Sequence, residues 1–281
     1  MKKLLQGVLI FSILAIVASS CQQGPRTDDG REVADFAVFD PENIREGVAG
    51  LIDQAPKAGD VFDFLNETGA AYIFDLAVPY DVAEMHESSS QISLVAGAYF
   101  ADLAYARAYN RRDVAAQTSE LFISMLSRLG VQSELENTFA IIQEIRETED
   151  QDVRDALFSQ AINTFHNEMA ESDIADTYAL IFIGANIEAL YIYTQLSLFA
   201  RDNQAMIDFF TDREDMLKTV HDIFELMANE GYMELHPRMS GYHESMREIV
   251  AYYQAQDRIT INELEVIGGM VENLRNEMLE V

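Results

Sequence analysis

No proline stands between Tyr80 and His236, so more than half of this chain lacks the residue that breaks a helix interior. The five prolines are Pro25, Pro41, Pro56, Pro79 and Pro237. Apolar residues recur with helical rather than strand spacing through this stretch and on both sides of it. Met216, Leu217, Val220, Ile223, Phe224 and Met227 follow the i, i+1, i+4, i+7, i+8, i+11 pattern of one buried helix face. Leu135, Phe139, Ile142 and Ile145 form a second such stripe, behind a predicted capping box at Ser133-x-x-Glu136. Thr260-x-x-Glu263 opens the last helix in the same way. Asp40-Pro41 reads as an N-cap followed by a proline at the first helical position, so the folded domain begins near residue 40.

These signals predict an all-α fold, a multi-helix bundle or irregular α-solenoid of about ten to eleven helices. The expected helices are 41–54, 60–67, 69–78, 88–110, 112–129, 134–148, 151–171, 173–201, 203–229, 239–256 and 261–280. The stretch from Tyr178 to Phe199 is apolar nearly all round, which predicts a central helix. A short similarity links Gly97-Ala98-Tyr99-Phe100-Ala101-Asp102-Leu103 to Gly184-Ala185-Asn186-Ile187-Glu188-Ala189-Leu190. Glycine costs a helix interior about 1 kcal/mol relative to alanine, so each predicts close backbone approach by another helix and a possible half-repeat.

The first twenty residues do not belong to that domain. Lys2 and Lys3, the apolar run from Val8 to Ala18 and the small residues Ala18, Ser19 and Ser20 have the order of an export signal. The run is shorter than the ~20 apolar residues of a spanning helix. Val17-Ala18-Ser19-Ser20-Cys21 resembles the lipobox of bacterial lipoproteins, with Ala18 where leucine is usual. That resemblance implies a precursor whose Cys21, the chain's only cysteine, takes a lipid and becomes the new N-terminus. Several acyl chains at about 0.8 kcal/mol per buried methylene anchor a protein stably where one chain does not. Residues 1–20 are therefore expected to be a signal peptide, 21–39 a lipid-anchored acidic tether and 40–281 a single helical domain. Gln22, in place of the aspartate that marks inner-membrane retention in such lipoproteins, favours the outer membrane.

The chain carries 48 acidic against 19 basic residues, a net charge of −29. Nucleic acid is excluded as a partner on this balance, because each phosphate contact requires a cation and the densest basic group is Arg107, Arg111 and Arg112. By whole-chain charge, the expected partners are the membrane, through lipid on Cys21, and an envelope protein or a small neutral or cationic ligand.

No complete catalytic or metal motif is present. Glu-x-x-His and His-Glu-x-x-His do not occur, and His86-Glu87 and His243-Glu244 meet Ser90 and Arg247 where a second histidine would stand. Gly241-Tyr242-His243 begins the motif of imelysin-type proteins, but Met246 occupies the glutamate position. Asp150-x-Asp152 lacks the glycine and closing glutamate of a calcium loop and reads as an acidic helix start. His221 and Glu225 lie one turn apart, a spacing that could hold a metal or a proton-transfer pair but that reads first as a solvated helix pair. Hence no catalytic residue, metal or cofactor is assigned.

Asp102, Asn186 and Glu188 sit inside apolar helices, where a buried carboxylate needs a partner or a raised pKa. They are candidate ligand-pocket residues or members of a structural ion pair, with Arg107 as the expected partner. Two functions follow. The first is a non-enzymatic envelope lipoprotein serving as a helical binding or scaffold module. The second is an exported enzyme or ligand sensor using Asp102 and Glu188.

Overall fold

The computed structural model describes residues 41–54 and 58–280. The signal segment 1–20, Cys21, the tether 21–39 and the N-cap Asp40 lie outside the described residues. The fold is all-α, with twelve α-helices and no strand among the described residues. In chain order they are α1 (Pro41–Gln54), α2 (Ala58–Glu67), α3 (Ser89–Ala108), α4 (Arg112–Leu129), α5 (Glu136–Glu147), α6 (Gln151–Glu171), α7 (Ala175–Phe199), α8 (Gln204–Thr211), α9 (Glu214–Asn229), α10 (Tyr232–Leu235), α11 (Pro237–Gln254) and α12 (Ile261–Leu279).

The arrangement is radial. The central helix α7 packs against α1, α2, α3, α6, α9 and α12, as its all-round apolar sequence predicts. By length and hydropathy it could cross a membrane, but other helices bury most of it, as befits a core helix. Its tightest neighbour is α3. A β-carbon on Gly97 would lie 2.0 Å from the carbonyl oxygen of Ile181, and one on Gly184 would lie 1.9 Å from that of Leu94. Each glycine thus faces the carbonyl three residues before the other, so the two similar segments are the two halves of one reciprocal crossing. Only glycine permits backbones to meet this closely.

Local departures from the sequence expectation have identifiable causes. Residues 69–78, expected as a helix, instead form with 79–84 a strap that carries two short 3-10 turns, Phe74–Leu76 and Tyr80–Glu84. Gly69 starts the strap at φ +83° and Pro79 sits within it. Its backbone groups are satisfied in part by the bonds of those turns and in part by side chains of α3. Asp102 Oδ2 accepts from Val78 N at 2.8 Å, Tyr105 Oη accepts from Ile73 N at 2.8 Å, and Tyr99 Oη donates to Pro79 O at 2.7 Å. The expected helix 203–229 is divided at Asp212 and Arg213 into α8 and α9.

The capping boxes differ from each other. Thr260 and Glu263 form the predicted reciprocal cap of α12. At α5 no such box exists, because the helix starts after Leu135 and Ser133 Oγ bonds Glu134 instead. Glu168 of α6 takes over the task, accepting from Asn137 N and Thr138 N, each at 2.9 Å. It also accepts from Asn137 Nδ2 at 2.8 Å and Thr138 Oγ1 at 2.6 Å.

One apolar cluster joins all the long helices, but the α5–α6 hairpin belongs to it only in part. Leu135, Phe165 and Met169 enter the main core, whereas Ile141, Leu157 and Ala161 form a separate small cluster with Ile145. The hairpin therefore joins the main core at one end, while at the other it meets α3 and α4 through charged side chains, Arg107 with Asp155 and Arg146 with Glu120.

Candidate functional site

The gap left by that hairpin is a cleft of about 920 Å³ between α3–α4 and α5–α6. Its volume lies within the ~300–1,000 Å³ usual for small-molecule sites. Phe100, Phe122, Ile142, Phe158, Ile162 and Phe165 supply its apolar wall. Ile142 belongs to the stripe read from sequence as core, and here that stripe turns partly toward the cleft.

Five arginines, Arg107, Arg111, Arg112, Arg146 and Arg154, also line the cleft, against three acids, Asp113, Glu120 and Asp155. In a chain with only 19 basic residues this is a marked concentration. The turn between α3 and α4 delivers two of them, with Asn110 in the left-handed region at φ 55°, a conformation asparagine tolerates. Arg107 stacks on Phe158, its guanidinium carbon 3.7 Å from the ring centroid, and lies 3.6 Å from Asp155. Burial lowers the Arg107 pKa and Asp155 opposes that shift, within a range where the group stays charged. Arg146 pairs with Glu120 at 2.7 Å. Arg111, Arg112 and Arg154 make no ion pair among the described residues, although Arg111 lies over the Tyr72 ring at 5.0 Å.

The central carboxylates lie elsewhere. Asp102 and Glu188 are both fully buried near the α3–α7 crossing and line neither this cleft nor the smaller cavity described below. The partner of Glu188 is Arg275 of α12, not Arg107 as expected. Arg275 Nε and Nη2 donate to its two oxygens at 2.7 and 2.8 Å, and Nη2 also reaches Leu76 O at 3.1 Å. The guanidinium carbon lies 4.1 Å from the Tyr191 ring centroid. Burial raises the Glu188 carboxyl above its ordinary pKa and Arg275 pulls it back. Asp102 is raised well above the carboxylate range by burial and then by the Glu188 charge, with the Val78 hydrogen bond and Arg275 opposing.

Among the described residues Asp102 Oδ1 has no hydrogen-bond partner, nor do the buried hydroxyls of Tyr72 and Tyr109. Burial and the neighbouring Asp102 push the Tyr72 phenol up to about 12, so it stays protonated. Asn186 donates Nδ2 to Phe182 O at 2.9 Å within its own helix.

A second group of polar residues is assembled by packing alone. Helix α11 lays His243 against His221 and Glu225 of α9, so that one donor atom from each lies within 4.8 Å of the others. Sequence spacing holds the α9 pair together but has no means of placing His243 beside it. In comparisons with known proteins, no family model fits the chain, and neither a curated protein nor a solved structure matches it.

Proposed function

We propose that this chain is an envelope lipoprotein, anchored by lipid on Cys21, whose helical domain binds an amphiphile with an acyl-like tail and an anionic head. The observation that supports this reading is the cleft, with its aromatic and aliphatic wall and its five guanidiniums. Apolar surface removed from water contributes about 25 cal/mol per Å², which favours a tail in such a wall. A planar guanidinium matches carboxylate or phosphate oxygens bidentately, and Arg111, Arg112 and Arg154 have no carboxylate of the chain to satisfy them among the described residues. Whole-chain charge argues for neutral or cationic ligands, but a ligand in the cleft meets the local excess of arginine first. The reading of an enzyme or sensor built on Asp102 and Glu188 draws no support from their positions, because Arg275 occupies both Glu188 oxygens.

The test is displacement of a fluorescent anionic fatty-acid probe, with the Arg111→Ala/Arg112→Ala/Arg154→Ala variant for comparison. Saturable micromolar binding by the parent, weakened at least about tenfold in the variant, is expected, since each charge-assisted hydrogen bond removed contributes about 1.5–3 kcal/mol. A chain alcohol of equal length should not distinguish the two proteins. Equal probe binding by both, or none by either, would overturn the proposal. The anchor is tested separately through the mass and detergent partitioning of the exported protein: a diacylglyceryl mass that disappears in Cys21→Ser supports it, and an unmodified soluble product opposes it.

A further inference from the structure

We propose that His221, Glu225 and His243 form a site for a divalent transition-metal ion of the zinc class, clipping α11 to α9 and leaving a coordination position open. The site is independent of the cleft. His221 and Glu225, four residues apart, share one face of α9, and His243 meets them from α11. Glu225 Oε1 lies 3.1 Å from His243 Nε2 and 3.7 Å from His221 Nε2. In a tetrahedral site with bonds of ~2.0–2.2 Å, neighbouring donors stand roughly 3.3–3.6 Å apart, so these separations already bracket the geometry an ion requires.

Both imidazoles are held in place. His221 Nδ1 lies 3.5 Å from Asp222 Oδ1, the side from which a carboxylate orients a metal-binding histidine. The His243 ring stacks on Phe224 at 5.7 Å with an interplanar angle of 18°. The nearby cations are themselves paired, Lys218 with Asp222 at 2.7 Å and Arg247 with Glu244 at 2.5 Å. An arriving dication therefore meets two imidazoles and a carboxylate. The side chains are 20%, 44% and 16% exposed for His221, Glu225 and His243, enough for a hydrated ion to reach them. Three donors leave one position of a tetrahedral ion for water, and a cavity of about 210 Å³ adjoins the group on the side of His221 and Asp222, with neither Glu225 nor His243 in its lining. Two nitrogens and one oxygen suit zinc and its transition-metal neighbours, whereas calcium and magnesium prefer all-oxygen sites.

The experiment is calorimetric titration of the chelator-stripped protein with Zn²⁺ alone at neutral pH. Every protein carries Cys21→Ser, because a thiolate is itself a zinc ligand. One site per chain is expected, with affinity falling at least about 100-fold in His221→Ala, Glu225→Gln or His243→Ala and about tenfold in Asp222→Asn, since even loss of an orienting partner costs ~10–100-fold. His236→Gln should bind as the parent does. Co²⁺ should give the parent the visible absorption of a tetrahedral site, a result that does not depend on any variant folding. No Zn²⁺ binding would reduce the group to a hydrogen-bonded cluster. Weak binding unchanged in the His221→Ala/His243→Ala variant would assign it to dispersed surface carboxylates. Either result overturns the proposal.

Discussion

One β-carbon decides whether α3 and α7 can meet. At Gly97 and Gly184 it would fall about 2 Å from backbone carbonyl oxygens, which cannot rotate away as a side chain can. Gly97→Ala or Gly184→Ala should therefore cost about 3 kcal/mol or more in urea unfolding. Gly269, with nothing within 4 Å of its added β-carbon, should instead gain about 1 kcal/mol as alanine. The crossing also brings Asp102 and Glu188 into the core, where Arg275 balances only Glu188 fully. Glu188→Ala would leave a guanidinium buried without its carboxylate and should cost about 3–5 kcal/mol, while Glu188→Leu/Arg275→Met should cost far less. Asp102 contributes through its raised pKa. Its folded state holds the proton more tightly than the unfolded chain, so the stability it adds is present below the unfolded value of about 4 and is lost as pH rises through the folded one. The melting temperature of Asp102→Asn should gain on that of the parent as pH rises above about 4, and a constant difference would contradict the assignment. Sequence shows that these polar residues need partners, yet Arg275, 87 positions beyond Glu188, becomes identifiable only once α12 is placed.

At the scale of elements, the helices are legible where their own apolar stripe holds them. The six stripe residues of α9 are all buried, and the proline-free stretch carries α3 through α10. The strap after α2 is not legible, because Ala70 to Val78 has helix-compatible composition and its straightening depends on acceptors and donors supplied by α3. The cap of α5 departs from its sequence pattern for a similar reason: the local Ser133-x-x-Glu136 pairing loses to Glu168, more than thirty residues further on. Burial pushes the Glu168 carboxyl up, but its bonds to Thr138 and Asn137 bring it below the ordinary value. Its support is therefore present above the unfolded pKa and lost as pH falls through the depressed one. Glu168→Ala should raise amide hydrogen exchange in the first turn of α5 at neutral pH and reproduce what acid does to the parent. Since the hairpin forms one wall of the cleft, the same variant should weaken binding of the fatty-acid probe without altering exchange in α7.

Across the whole molecule, composition and position give opposite instructions to an anionic ligand. A net charge of −29 repels it at long range, while the arginines of the cleft attract it over a few ångströms. Salt separates the two contributions, because the Debye length is about 30 Å at 0.01 M and about 8 Å at 0.15 M. The distant repulsion is therefore screened before the close contacts inside the cleft. Raising salt through this range should accelerate association of the anionic probe, the reverse of ordinary steering between opposite charges, and change its dissociation much less. Stopped-flow mixing measures both rates. An association rate that falls with salt would mean that the arginine rim governs approach as well as binding, and a rate indifferent to salt would mean that the distant repulsion does not govern approach. The sequence supplies the charge total from which the repulsion follows. The attraction depends on a hairpin that shares the main core at one end only, and that geometry gathers five of the chain's few cations around one apolar space.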